Sequence, residues 1–151
     1  MKKIIVGILL GFAVLCSPVQ CHATDVAEIP KAIEITYEEA QELLQIAEAE
    51  AGNQGPDGQW LVMSAVINRV NDDTWPDNIH DVIHQESQFY AAGMGKTPIK
   101  LDGHEALARI EQGDVAPQIV AFERKESTFL SKYFTEVFTY KDHKFYVEKE
   151  Q

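Results

Sequence analysis

The polar and apolar positions between residues 36 and 51 repeat with the period of an α-helix. Thr36 opens this stretch and Glu39 follows three residues later, which is the spacing of a capping box at a helix start. The pattern predicts that the helix ends at Gly52 and Asn53, a pair that suits a left-handed C-cap. The predicted apolar face consists of Ala40, Leu43, Leu44, Ala47 and Ala51.

A second helix is predicted to begin at Asp57 or Gly58, directly after Pro56. It continues through a run that is almost entirely apolar and closes with Asn68 and Arg69. A helix that is apolar nearly all round is buried in the centre of a domain. The polar pair at its end must therefore find hydrogen-bond partners.

Two shorter helices and a hairpin complete the predicted elements. One helix lies around Val82 and Ile83, the other spans residues 102–113, and the hairpin has a strand on each side of Lys141 and Asp142. Together these elements indicate a single α+β domain that is predominantly helical. The predicted caps are Asp77 for the first helix, Asp102 with Glu105 for the start of the second, and Gly113 for its end.

Glu50 is the first candidate for chemistry. It lies seven residues after Leu43, so it falls on or near the apolar face in the last turn of its helix. Burial disfavours a charged carboxylate, and the negative end of the helix dipole does the same, so both effects would raise the pKa of Glu50. A carboxylic acid that stays protonated near neutral pH suits general acid catalysis. A plainer alternative is that Glu50 merely forms the edge of an amphipathic helix and bonds to the second helix.

The first 23 residues are typical of a secretory signal peptide. They begin with Lys2 and Lys3, continue with an apolar run, and end at the small residue Ala23. A retained N-terminal anchor is the alternative. We expect residues 24–35 to form a leader and residues 36–151 to form the folded domain, exported to the cell wall, the periplasm or the medium.

The charge of the chain excludes some partners. The formal net charge is −11, and removing the two lysines of the signal leaves 11 basic residues against 24 acidic ones. Such a protein is not expected to bind nucleic acid or an anionic membrane surface. Both cysteines lie within the signal, so they indicate nothing about a disulfide in the exported protein.

Two segments resemble a known family. They read EAGNQGPDGQWLVMSAVINRV and WPDNIHDVIHQESQF, and they are similar to the cell wall hydrolases of the spore-cortex-lytic group, the SleB/CwlJ-like catalytic domains. The resemblance implies a lysozyme-like fold, a peptidoglycan substrate and Glu50 as the catalytic acid. Many relatives have Arg-Gly where this chain has Gly52-Asn53, so any contact made by that arginine is in question. The matching elements are Glu50–Asn53, Gly58-Gln59, Asn68–Val70, Trp75–Ile79, Val82-Ile83 and Gln88-Phe89.

A single candidate acid indicates a particular reaction. Ordinary glycosidases pair two carboxylates across the scissile bond, but Glu48 precedes Glu50 by two residues and is expected to point away from it. The resemblance implies a lytic transglycosylase that cleaves the MurNAc–GlcNAc bond, with the muramic acid 6-hydroxyl as the internal nucleophile. Hydrolysis, as in a muramidase, stays open. The predicted substrate contacts are Asn68, Gln88, Phe89, Tyr90 and Tyr133, with a core position as the alternative for Phe89 and a helix cap for Asn68.

Two other functions remain as alternatives. One is a non-catalytic envelope protein that binds the wall with the same fold. The other is a zinc hydrolase, because His80 and His84 lie one helical turn apart with Asp81 between them. In that case His104, Glu105 or His143 would supply the third ligand, although surface positions are the commoner role for such histidines. The preferred hypothesis requires no metal and no cofactor, and it expects a monomer whose partner is the peptidoglycan glycan strand.

Overall fold

The computed structural model of the protein describes residues 33–86, 88–89 and 95–150. The predicted signal peptide, most of the leader and Tyr90 lie outside the described residues. None of the helices in the described ranges is both long and apolar enough to cross a membrane. The elements, in chain order, are α1 (Tyr37–Ala51), α2 (Gly55–Val70), α3 (Ile79–His84), α4 (Leu101–Glu111), β1 (Ala121–Arg124), a 3₁₀ helix (Leu130–Lys132), β2 (Phe134–Tyr140) and β3 (His143–Glu148).

Helix α1 begins as the sequence predicts. The Thr36 hydroxyl accepts from the amide of Glu39 at 3.3 Å, and the Glu39 carboxylate accepts from the amide of Thr36 at 2.9 Å. This reciprocal pair is a capping box. The predicted apolar face is confirmed, since four of its five positions are buried and Ala40 is partly buried. Ile46 is also buried, so the face is wider than predicted.

The turn between α1 and α2 corrects one prediction. Gly52 keeps a right-handed conformation with φ of −62°, and its amide donates to the carbonyl of Glu48 at 3.1 Å. The left-handed residue is Gly55, with φ of +75°, a conformation that lacks a Cβ penalty only in glycine. Helix α2 therefore begins at Gly55, two or three residues before the predicted start at Asp57 or Gly58, with Pro56 in its first turn.

Helix α2 is the central buried element, as predicted. Every residue from Leu61 to Ile67 is buried. The side-chain amide of Asn68 donates to the carbonyls of Ala116 at 2.7 Å and Ile119 at 2.8 Å. Arg69 donates through Nε to the carbonyl of Val120 at 2.6 Å. The polar pair thus finds its partners in the segment that leads into the sheet.

The two shorter helices differ from prediction at their first residues. Asn78, not Asp77, caps α3, because its side chain accepts from the amide of Asp81 at 2.8 Å. Helix α4 begins directly after Lys100, so Asp102 lies in its first turn and does not cap it. The end of α4 is confirmed, since Gly113 follows it with φ of +81°.

The sheet has three antiparallel strands in the order β1-β3-β2. The predicted hairpin is confirmed as β2 and β3, with Lys141 in a left-handed conformation at the turn. Strand β1 was not predicted, and its Phe122 lies opposite Phe145 of β3. Phe145 packs with Leu61 of α2 in a second apolar cluster. This contact joins the sheet to the central helix.

The last residues of the predicted leader belong to the folded domain. Ile33 and Ile35 pack against the helical core. The amide of Ile33 donates to the carbonyl of Glu111 at 3.2 Å. The ordered domain therefore begins at least three residues before Thr36.

Candidate active site

A cleft of about 600 Å³ opens between the end of α1 and the sheet. Glu50, in the last turn of α1, lies on one wall and is partly buried. The opposite wall is formed by residues of β1 and by the turn between β2 and β3. The cleft has the volume of a small-molecule site, and it presents a carboxyl group to whatever enters.

Hydrogen bonds of Gln54, which is 2% exposed, hold the two walls of the cleft together. Its side-chain NH₂ lies 2.6 Å from Nδ1 of His143, and its side-chain oxygen accepts from the amide of Asp142 at 3.4 Å. Its backbone carbonyl accepts from Nζ of Lys141. The α1–α2 turn, which directly follows Glu50, is therefore held against the β2–β3 turn.

His143 is neutral in this arrangement. An amide NH₂ can only donate, so Nδ1 of His143 must accept from Gln54 and cannot carry a proton. Burial lowers the pKa of His143, the nearby Arg124 lowers it further, and Asp142 raises it in part. His143 lies on the cleft wall, and its contact with Gln54 depends on the unprotonated nitrogen.

Glu123 brings a further carboxylate to the cleft, which Glu126 and Asp142 also line. Its oxygens accept from the Tyr146 hydroxyl at 2.5 Å, the Ser127 hydroxyl at 2.5 Å and the amide of Leu130 at 3.1 Å. Burial alone would raise the pKa of Glu123, but these hydrogen bonds lower it below its ordinary value. Glu123 is thus an ionised group held in a fixed position. The sequence did not reveal it, because β1 was not recognised as a strand.

Glu48 does not line the cleft, although it is buried rather than solvated. Its Oε1 pairs with Nζ of Lys100 at 2.5 Å, and its Oε2 accepts from the Gln59 amide at 3.2 Å. The same Lys100 donates to the carbonyl of Gly52 at 2.8 Å. This network fixes the end of α1, and with it the position of Glu50.

Of the predicted substrate contacts, Gln88 lies on the cleft wall with Glu50. Phe89 turns toward the core, where its ring lies 6.0 Å from that of Phe122. The guanidinium of Arg69 lies 5.0 Å from the centre of the Phe89 ring. The geometry therefore favours the core position that was the alternative for Phe89.

Asn68 and Tyr133 do not line the cleft that holds Glu50. Asn68 borders a separate hollow beside the end of β3, and its amide is engaged by two carbonyls. That engagement is not the helix cap that was the alternative for Asn68. Tyr133 is 58% exposed, and its ring lies 5.5 Å from that of Phe129.

The histidines of α3 are not arranged as the zinc hydrolase alternative requires. His143 lies in the cleft, bonded to Gln54, so it is not the third ligand. The residue that meets His80 and His84 is Glu42 of α1. Asp81, expected as the base, accepts a hydrogen bond from the Asn78 side chain at 2.8 Å within the helix cap.

Comparisons with known proteins identify the family and the fold of the chain. A model of the cell wall hydrolase family matches residues 53–151, beginning just after Glu50. None of the curated proteins to which the chain was compared matches it.

Two similar solved structures confirm the predicted fold. The catalytic domain of the Bacillus cereus SleB protein is 16% identical with a TM-score of 0.65, over 75% of this chain and 92% of that one. The catalytic domain of the germination-specific lytic transglycosylase SleB from Bacillus anthracis is 17% identical with a TM-score of 0.64, over 74% and 96% of the two chains. With the family match covering most of its length, the chain belongs to the cell wall hydrolase family.

Proposed function

We propose that the protein cleaves peptidoglycan at the MurNAc–GlcNAc bond, with Glu50 as the catalytic acid. The observation that carries this proposal is the position of Glu50 on the wall of a cleft of about 600 Å³. Membership of the cell wall hydrolase family supports the substrate class. Peptidoglycan lies outside the cytoplasmic membrane, in agreement with the export that the first 23 residues predict.

In the proposed reaction Glu50 acts twice. It first donates its proton to the glycosidic oxygen, and the bond from that oxygen to the anomeric carbon of muramic acid breaks. The 6-hydroxyl of the same sugar then bonds to the anomeric carbon and returns its proton to the Glu50 carboxylate. The product is a 1,6-anhydro sugar. The Bacillus anthracis relative is itself described as a lytic transglycosylase, which supports this outcome.

Glu123 supports the internal nucleophile over water. A general base works best when its pKa lies near the operating pH, and the hydrogen bonds that Glu123 accepts hold its pKa below the ordinary value. It is therefore a poor base for activating water. Its fixed negative charge instead suits the positive charge that develops on the sugar ring as the glycosidic bond breaks.

Gln88 is the substrate contact that the geometry supports best, because it shares the cleft wall with Glu50. Its side chain is exposed, and an amide can both donate to and accept from sugar hydroxyls. The proposed contacts at Tyr90 and Tyr133 rest on the sequence alone, because aromatic faces suit the C–H faces of sugars.

The decisive experiment digests purified peptidoglycan with the wild type and with Glu50→Gln and reads the released muropeptides by mass. We expect anhydro products, lighter than hydrolytic ones by one water, from the wild type. The Glu50→Gln variant should release them at least about 100-fold more slowly, because an amide cannot donate the proton. Glu105→Gln is the matched control, since Glu105 is an exposed residue of α4 outside the cleft.

Each other outcome identifies an alternative. Products of ordinary hydrolytic mass would establish a muramidase with water as the nucleophile. Equal release by Glu50→Gln and the wild type would remove Glu50 from the chemistry. If the wild type released nothing yet sedimented with insoluble wall, the non-catalytic binding protein would be the better description.

A further inference from the structure

Glu42 of α1 meets two histidines of α3 on the surface of the domain. Oε1 of Glu42 lies 2.8 Å from Nδ1 of His80 and 3.3 Å from Nε2 of His84. The two imidazole rings have their centres 4.4 Å apart. In the part of the chain that the structure describes, these three residues form the group of ligating atoms that all lie within 4.8 Å of one another.

We propose that Glu42, His80 and His84 form a binding site for a divalent transition-metal ion, and we use Zn²⁺ as the representative ion. Zinc binds imidazole nitrogen and carboxylate oxygen at about 2.0–2.2 Å, so ligands around one ion are separated by roughly 3.0–3.5 Å. The separations of 2.8 and 3.3 Å from the carboxylate already approach that spacing. Rotation of the side chains would let an ion take the place of the proton in the Glu42–His80 hydrogen bond.

The donor set selects the class of ion. Two imidazoles favour zinc, copper, nickel or cobalt over calcium and magnesium, which prefer oxygen ligands. The side chains are open to solvent, at 63% exposure for His80 and 42% for His84, so an ion can reach them. Glu42 and the neighbouring Asp81 add negative charge, and the whole chain is acidic.

The site is separate from the proposed active site. Glu42 and Glu50 are eight residues apart on α1, which is about 12 Å along the helix axis. An ion held by Glu42 on α1 and by two side chains on α3 would tie these helices together across 38 residues of sequence. Its role is therefore structural, and it adds stability by binding only the folded chain.

The test is isothermal titration calorimetry of Zn²⁺ into the full chain, near neutral pH. Cys16 and Cys21 are changed to Ser in every sample, because thiols bind zinc themselves. We expect one ion per chain, and a loss of affinity of more than about tenfold in both Glu42→Gln and His84→Asn, since each removes one of three ligands. His104→Asn is the matched control, because His104 is an exposed histidine of α4 outside the group.

Melting curves with and without Zn²⁺ provide a second readout. The wild type and the control should melt at a higher temperature with zinc, while the two ligand variants should show no rise. Circular dichroism of the variants without metal verifies that they are folded. The proposal is overturned if the wild type binds no zinc, or if Glu42→Gln and His84→Asn bind it as tightly as the control. Lytic activity enters neither readout, so this result is independent of the proposed function.

Discussion

A single proton decides whether His143 can hold the two walls of the cleft together. Its Nδ1 accepts from the Gln54 amide at 2.6 Å, and a protonated nitrogen would present a second donor to that NH₂ group. The pKa of His143 is lowered by burial and by Arg124. A group whose folded pKa is lowered contributes stability above its unfolded pKa and loses it as the pH falls through the folded value.

We therefore expect the free energy of unfolding to fall as the pH is lowered from about 7 to about 5, the window below the ordinary histidine pKa. His143→Gln should lack this component, because its side chain does not titrate and its oxygen can still accept from Gln54. Urea denaturation at several pH values measures the slope. The control is His104→Gln, an exposed histidine, which should keep the wild-type slope. An unchanged slope in His143→Gln would mean that other groups produce the pH dependence.

At the scale of elements, the end of α2 supports the segment that leads into the sheet. Asn68 donates to the carbonyls of Ala116 and Ile119, at 2.7 and 2.8 Å, and both of those residues are buried. Removing the Asn68 side-chain amide would leave the carbonyls of Ala116 and Ile119 without this hydrogen-bond donor. The contact is structural. Removing it should therefore lower stability, whereas removing a substrate contact would lower activity.

Asn68→Ala should lower the free energy of unfolding by about 1–3 kcal/mol, the cost of leaving a buried polar group unsatisfied. The folded variant should digest peptidoglycan at the wild-type rate, because Asn68 does not line the cleft. Denaturation and a digestion assay at low temperature separate the two effects. Asn71→Ala, an exposed change just after the same helix, is the control. Wild-type stability with a strong loss of activity would restore Asn68 as a substrate contact.

Local sequence patterns predicted the helices and the hairpin better than the contacts between them. The capping box at Thr36 and the hairpin turn at Lys141 depend on residues close in sequence, and both were recognised. Gln54 contacts residues 88 and 89 positions away, and Glu123 lies on the cleft wall because β1 pairs with β3, and no local pattern encodes either contact. One signal was present for His143. Alternate residues of a strand share a face, so His143 should lie on the same side as the apolar Phe145.

At the scale of the whole molecule, the net charge of the chain affects how it approaches the peptidoglycan wall. The chain carries a formal net charge of −11, and the wall polymer is also anionic. Repulsion between them is long-ranged at low salt and falls as ions screen it. We therefore expect the wall to be recognised at short range, by hydrogen bonds and contacts with the sugar rings.

We expect the rate of wall digestion to rise when the ionic strength increases from about 10 mM to about 150 mM, because screening shortens the range of repulsion. Turbidity of a peptidoglycan suspension measures the rate. Sedimentation of the Glu50→Gln variant with the same wall, at each salt concentration, separates binding from cleavage. A rate that falls steadily with salt would instead indicate attraction through a local cationic surface.

The bond between Gln54 and His143 also sets when, during synthesis, the cleft can exist. The two residues are 89 positions apart, so Glu50 leaves the ribosome long before the second wall is available. A nascent or truncated chain that ends before His143 holds the proposed acid but has no closed cleft around it. A chain that ends before His143 is therefore expected to lack lytic activity, so partial products of translation should be harmless to the wall of the cell that makes them.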